Sequence, residues 1–467
     1  MDLNTKQVKE GIEQMAALFS ELVVKHIQEE EVGIGEIEQG MRHMLREIGR
    51  QAMVQVLEKS DVVEPGIRCQ CQHKANYRCR REGMVITVFG RVKYKRSYYV
   101  CNHCRRGEKP LDSRLQIKPG EVSQGLKPLL ALLGIQTSFD EATKLAQEFL
   151  LLDISDNSIR KATQWVGQKQ QAIEQKWKKL SDWHHYMNDL SRQNERAPRR
   201  MYGSIDGVMV PTQADWRELK TVCWYEVSPL SERQWPSRYK ERVGELEGLK
   251  ATDMRYHCDI QGAETFSKLL WASGCHYLAD RAQELIFVCD GAKWIWGLVE
   301  ENFPEAIQIL DWYHAVEYLT PVAQALFKDL DKQTEWLATM KEHLWFSRTQ
   351  TVIDICRTLA NEPSAAEPSA KAATYFQNNL ARMDYAYFRK QGYFIGSGTV
   401  ESGCKQIATM RLKRSGAQWL EDGARWVAKA RAVWLSGQWQ DVVNGYNDLP
   451  FAVYRVFTAP MQIHRGF

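Results

Sequence analysis

A chain of 467 residues, 44% hydrophobic and 26% charged, is too long for one ordinary core and too apolar to be disordered, so three or more globular units are expected. No stretch approaches the run of about 18 apolar residues that a membrane span needs, and the N-terminus lacks a signal peptide's apolar core, which points to the cytoplasm and to no membrane partner. The net charge of +4 conceals a reversal: Met1–Gly66 holds 7 Lys/Arg against 13 Asp/Glu, whereas Ile67–Pro110 holds 12 against 2, a local excess suited to an anionic partner.

Residues 1–64 carry helical periodicity, with Ile12, Met15, Leu18, Leu22 and Val23 on one apolar stripe, until Pro65-Gly66 breaks the chain. Residues 65–114 follow as a basic β-hairpin region, because the segment from Met84 to Cys101 alternates apolar with basic or polar residues about a turn at Gly90. Five of the 11 cysteines fall between Cys69 and Cys104, and in a reducing compartment such clustering suits metal better than disulfides. Cys69, Cys71, Cys101 and Cys104 flank the hairpin as two pairs able to hold one structural Zn2+ in a zinc-ribbon-like arrangement, with His73, Cys79 and His103 as alternative ligands. Arg91, Lys93, Lys95 and Arg96, interleaved with Tyr94, Tyr98 and Tyr99, are candidate DNA-phosphate contacts; a solvated charged face is the plain alternative.

Residues 115–199 read as helical. Ser138 caps one helix, Ser155 or Asp156 the next, and the pair resembles a helix-turn-helix whose second helix presents Asn157, Arg160 and Lys161 to DNA. At Met201 the rhythm becomes α/β: three strands, a helix, a strand, a helix and a strand run to His314. Residues 315–393 form an all-helical insertion interrupted by Asn361–Ala370, residues 394–440 resume the core as a basic helical part, and 441–467 form a tail. The order of elements in 200–314 resembles the ribonuclease H fold.

Three short motifs carry the chemistry. Gly203-Ser-Ile-Asp206-Gly and Phe287-Val-Cys-Asp290-Gly end apolar strands, and Gly398-Thr-Val-Glu401-Ser opens a helix. Each acid alone has a plain reading, as a turn or helix-start residue. Together they repel unless cations lie between them, and divalent metal on three carboxylates suits phosphoryl transfer. Asp259 and Asp311 are rivals for the place given to Asp290, and His314, three residues after Asp311, can reach the edge of the same site.

These motifs, with Val288-Cys-Asp-Gly-Ala-Lys-Trp-Ile-Trp296, Leu310-Asp-Trp-Tyr-His-Ala-Val-Glu317 and the Tyr98-Tyr-Val-Cys-x-x-Cys104 stretch, are similar to bacterial insertion-sequence transposases of the ISKra type. The resemblance covers roughly residues 65 to 440, and the tight Cys69-x-Cys71 pair departs from it. It implies a multidomain Asp-Asp-Glu enzyme with a ribonuclease H-like core, which binds transposon ends, cleaves DNA and joins the 3′-hydroxyl to target DNA. Asp206, Asp290 and Glu401 would be the catalytic triad, holding two Mg2+ (or Mn2+) ions roughly 3.5–4 Å apart. Asp311 and His314 match the Asp-x-x-His signature of Mutator-like relatives and would support the triad. Lys405, Arg411, Lys413 and Arg414 would contact the DNA backbone, and synapsis of two ends implies a homodimer or higher assembly. A nuclease that only hydrolyses, or a non-catalytic DNA-binding derivative, is the alternative.

Overall fold

The first sheet shows directly how alternation becomes architecture. In the computed structural model, which describes residues 5–29, 33–182, 196–229 and 249–443, four strands pair antiparallel in the order β1-β2-β3-β4: β1 (Gly66–Arg68), β2 (Lys74–Thr87), β3 (Gly90–Cys101) and β4 (Gly107–Glu108). The β2–β3 hairpin turns at Gly90, whose φ of 104° is open to glycine and strained for other residues. Along β3 the residues Val92 and Tyr94 are buried while Arg91, Lys93 and Lys95 are exposed, so the period of two fixes which face meets water. The buried face packs with Val85, with Leu57 from the helix Ile34–Lys59 and with Leu111. In the first helix, Thr5–Glu29, Met15 and Leu18 of the expected stripe are exposed; the side chains of Ile12 and Leu22 lie outside the described residues.

The helices Phe139–Leu150 and Asp156–Leu180 bear out the expected pair with its short break. Ser138 accepts the Glu141 N–H at 3.2 Å, the Ser155 hydroxyl accepts that of Ser158 at 3.3 Å, and Leu151 makes the left-handed turn between the helices. The described residues divide into two compact units, one ending at Ala162 and the other Thr163–Val443, so the boundary lies within the second of these helices, ahead of the change in composition at Met201. Part of the expected polar connector, 183–195, and the tail beyond Val443 lie outside the described residues.

The second unit is built on a five-stranded sheet in the order β7-β6-β5-β8-β9. Its strands are β5 (Arg200–Pro211), β6 (Trp216–Pro229), β7 (Leu249–Asp259), β8 (Glu284–Cys289) and β9 (Ile307–Leu310). β5, β6 and β7 form an antiparallel meander, whereas β8 and β9 run parallel to β5. The helices Ala263–His276 and Lys293–Asn302 make the crossovers that parallel pairing requires. Beyond β9 the described chain is helical until Lys390, from Trp312–Glu317 through Thr320–Leu326, Leu330–Trp345, Thr349–Leu359 and Ala366–Asn379 to Tyr385–Lys390. The expected break at Asn361–Ala370 is shorter, because the helix restarts at Ala366 with Pro368 in its first turn, where no backbone donor is needed. Glu401 follows on the helix Gly398–Cys404, continued by a π-helical turn Lys405–Thr409, and the helix Glu421–Leu435 packs on β7.

Candidate active site

Strand register gathers the acids. β5 and β8 pair in parallel up to Gly203 opposite Phe287, and β8 and β9 up to Cys289 opposite Leu310. Continuing those offsets sets Asp206, Asp290 and Asp311 at one level on three neighbouring strands, just past the end of the parallel pairing. The Ile205 N–H reaches the Cys289 sulfur at 3.3 Å and keeps β5 and β8 together at that level.

Glu401 comes to this row from above the sheet. Its helix can sit so close because residue 403 is glycine: a Cβ there would lie 2.3 Å from the Tyr256 ring on β7, whose hydroxyl donates to the Thr399 carbonyl at 3.1 Å. Gly291 similarly admits the Tyr375 ring beside Asp290, since a Cβ would come within 2.2 Å of it, and Tyr375 stacks on Tyr318 with centroids 3.6 Å apart. The helical segment after β9 therefore supplies a wall next to the acids.

The charges are coupled. Burial first pushes the Asp206 carboxyl up from its ordinary range, the negative charges of Asp290 and Glu401 push it further, and the Cys404 thiol and Gly207 N–H hold it down. Asp311 is fully buried and also raised by burial; its Oδ1 accepts the His314 N–H at 2.7 Å and its Oδ2 the Ser397 N–H. The Ser397 hydroxyl donates to Glu401 Oε1 at 2.8 Å, and His314 Nε2 lies 3.2 Å from the same oxygen. That contact is the largest cause holding Glu401 below the usual carboxylate range, and in return it lifts His314 to about 9.

Among the described residues, the ligand atoms of Asp311, His314 and Glu401 lie within 4.8 Å of one another and could hold a metal ion. The expected Asp206–Asp290–Glu401 set does not form such a group among the described residues, and Glu401 is paired with His314. Asp259, a rival on sequence grounds, belongs elsewhere. Its register partner is Lys220, one position out of phase with the Thr221 that faces Asp206, and it is buried against Arg425 at 3.1 Å and Lys429 at 3.2 Å. Ser397 and Cys404 are site residues that sequence reasoning missed; the Gly396-Ser-Gly398 run was the signal for the first, and nothing local marks the second.

The basic residues sort by exposure. Arg91, Lys93, Lys95, Lys161 and Lys405 are exposed, Arg160 donates to Asn157, and Lys413 and Arg414 are half-buried. Two expectations are corrected. Arg96 is buried, with Nε 2.9 Å from Asp112 Oδ2, because the same period of two that exposes Arg91, Lys93 and Lys95 turns residue 96 to the buried face with Val92 and Tyr94. Arg411 is likewise buried, 5.1 Å over the Trp419 ring, on the inward side of its helix.

In the first unit the sulfurs of Cys69, Cys71, Cys101 and Cys104 lie within 4.8 Å of one another, with Cys69–Cys104 at 3.5 Å and Cys71–Cys101 at 3.6 Å. Cys79 is exposed on β2 and belongs to no such group among the described residues.

Comparison with known proteins agrees on one family. Residues 27–445 match the profile of UPF0236, described as an uncharacterised protein family. The UPF0236 protein TTE2489 of Caldanaerobacter subterraneus subsp. tengcongensis is 22% identical over 438 residues, covering 91% of this chain and 82% of that protein. A UPF0236 protein of the same organism named TTE0610/TTE0881/TTE1053/TTE2432 has the same identity and coverage, and another, TTE1650/TTE2708, is 22% identical across 77% of its length.

Proposed function

The chain belongs to the UPF0236 family, and we propose that it is a DNA transposase of an insertion sequence, with a ribonuclease H-like core acting on double-stranded DNA in the bacterial cytoplasm. The reading rests on one observation: three aspartates at one level just past the end of the parallel pairing, Asp206 within β5 and Asp290 and Asp311 immediately after β8 and β9, with Glu401 brought over them by a tightly packed helix. Bringing these acids together is costly, since the negative charges of Asp290 and Glu401 add to the cost of charging buried Asp206. It does suit divalent cations, and carboxylate oxygens are the hard donors that Mg2+ or Mn2+ takes. Asp206, Asp290 and Glu401 would hold two ions. Once bound, these would activate an attacking hydroxyl and offset charge on the phosphate.

The protein's own groups set the rest. Asp311 fixes the two backbone segments that carry His314 and Ser397, and both of those hold Glu401. The exposed Lys405 follows Glu401 on the same helical run and suits a flanking phosphate. The reaction is cleavage of a phosphodiester by water, exposing a 3′-hydroxyl, followed by attack of that hydroxyl on a target phosphodiester with departure of the other strand. Handling two ends at once calls for a dimer or larger assembly.

The test is a purified full-length chain, duplexes carrying the sequences that flank its gene, and Mg2+ or Mn2+. Nicking at the ends and joining to a second duplex, both abolished by Asp206→Ala, is the expected result. Nicking without joining would leave a nuclease, and equal activity of the Asp206→Ala protein would remove the site.

A further inference from the structure

Apart from the acids, the described residues hold one other convergence of metal-binding groups: the cysteines at the open end of the β2–β3 hairpin and the histidines beside them. We propose that Cys69, Cys71, Cys101 and Cys104 bind one structural Zn2+ that clamps the open end of this hairpin, and that His73 and His103 stay outside its coordination. The proposal stands whether or not the chain is a transposase.

The sulfur spacing fits the ion. Four sulfurs at about 2.3 Å from a tetrahedral centre lie about 3.8 Å from one another. The Cys69–Cys104 and Cys71–Cys101 separations, 3.5 and 3.6 Å, are close to that, and all four atoms fall within 4.8 Å. The backbone supplies the pairs from two similar turns. In one, the Gln72 N–H donates to the Cys69 carbonyl at 2.8 Å and Gln72 takes a φ of 73°; in the other, the Arg105 N–H donates to the Cys101 carbonyl at 3.0 Å with a φ of 60°. Non-glycine residues at positive φ are held there by their surroundings, and both follow immediately on a cysteine of the cluster. Cys69 and Cys101 are buried with Ala75 and Tyr99, which limits water around the sulfurs.

The competing set, Cys71 with His73 and His103, is ruled out by ring geometry. The two imidazoles are parallel to within 3° with centroids 3.8 Å apart. A ring nitrogen's lone pair lies in the ring plane, and one ion about 2.0–2.1 Å from each nitrogen cannot lie in two separate parallel planes. His73 Nδ1 is in addition 3.0 Å from the Cys71 carbonyl.

The clamp has a mechanical use. β1 and β4, which flank the hairpin, are three and two residues long and give little register of their own. One ion would join the chain after β1 to the end of β3 and to the turn before β4. Each thiol that binds releases its proton to solvent, so loading weakens as pH falls.

The experiment uses the full chain expressed with zinc and gel-filtered. Metal analysis should find about one zinc per chain, Cys101→Ala and Cys104→Ala should lose it, and His73→Ala and His103→Ala should keep it. Replacement of zinc by Co2+ in the wild-type chain should give the visible bands of tetrahedral thiolate coordination, a readout that does not depend on whether a cysteine variant folds. Zinc well below one per chain, retention in both cysteine variants, loss in either histidine variant, or alkylation of the denatured, unreduced chain showing these four thiols blocked as two disulfides would each overturn the proposal.

Discussion

Asp311 accepts two backbone N–H groups, one on each oxygen, and is fully buried. Asparagine in its place would turn an amide donor toward one of those donors, so Asp311→Asn should cost about 1–3 kcal/mol and lower the melting temperature as well as activity. Ser397→Ala removes only the hydroxyl on Glu401 and leaves the backbone bond, so the fold should survive with cleavage slowed roughly tenfold, about 1.4 kcal/mol. The hairpin cations separate in the same way. Arg91→Ala, Lys93→Ala and Lys95→Ala should each weaken DNA binding and lower the slope of log affinity against log salt by about one, measured by titration at several salt concentrations. Arg96→Ala should instead destabilise by about 3–5 kcal/mol, because it leaves Asp112 buried without its cation. Alternation along β3 already separates Arg96 from Lys95; what no local pattern marks is the partner, Asp112, that holds the buried cation.

At the scale of elements, the approach of the helix Gly398–Cys404 to β7 depends on a missing side chain. Gly403→Ala should displace that helix, costing about 1–3 kcal/mol and most of the activity, and Tyr256→Ala in the same chain should restore part of both by making room. On the other side of β7, a buried ionic cluster joins three elements: Lys429 lies 2.6 Å from Glu174 and 3.2 Å from Asp259, and His257 lies 3.0 Å from Glu174. Lys429→Met should therefore cost about 3–5 kcal/mol in chemical denaturation, since buried Glu174 loses its lysine and Asp259 keeps only Arg425. The strands and helices themselves were legible, because Ser204-Ile-Asp-Gly and Phe287-Val-Cys-Asp-Gly keep local apolar runs and local turn signals. Gly403 against Tyr256 was not, and neither was the pairing of Lys429 with Glu174, because contacts across long stretches of chain leave no local period.

Over the whole molecule, the acids converge through register rather than through sequence proximity, so the three motifs could be found one by one while their geometry could not. His314 was visible as part of Asp-x-x-His, yet its pull on Glu401 needed the helix to be in place. The pH response of folding has a different centre. Burial raises Asp280 from 3.8 to about 6, so its charged form is disfavoured in the folded chain. Asp280 should therefore cost the fold stability above pH 6 and cease to do so toward pH 4, so that Asp280→Asn should stabilise the chain at pH 8 by on the order of 1 kcal/mol given its partial exposure, with a higher melting temperature, and make no difference near pH 4. Thermal melts of both chains across that range check it.

The helical segment leaves the sheet at Asp311 and returns to the same carboxylate at Ser397, with the Trp312 N–H bonded to the Ile395 carbonyl at 3.0 Å beside it. Its two ends are thus stapled together independently of what lies between them. Closing a longer loop on fixed ends costs only about 0.6 kcal/mol for each doubling of its length. Descent can therefore lengthen, trim or exchange that segment without moving Glu401, and lineages sharing this acidic floor are free to diverge most in the wall above it.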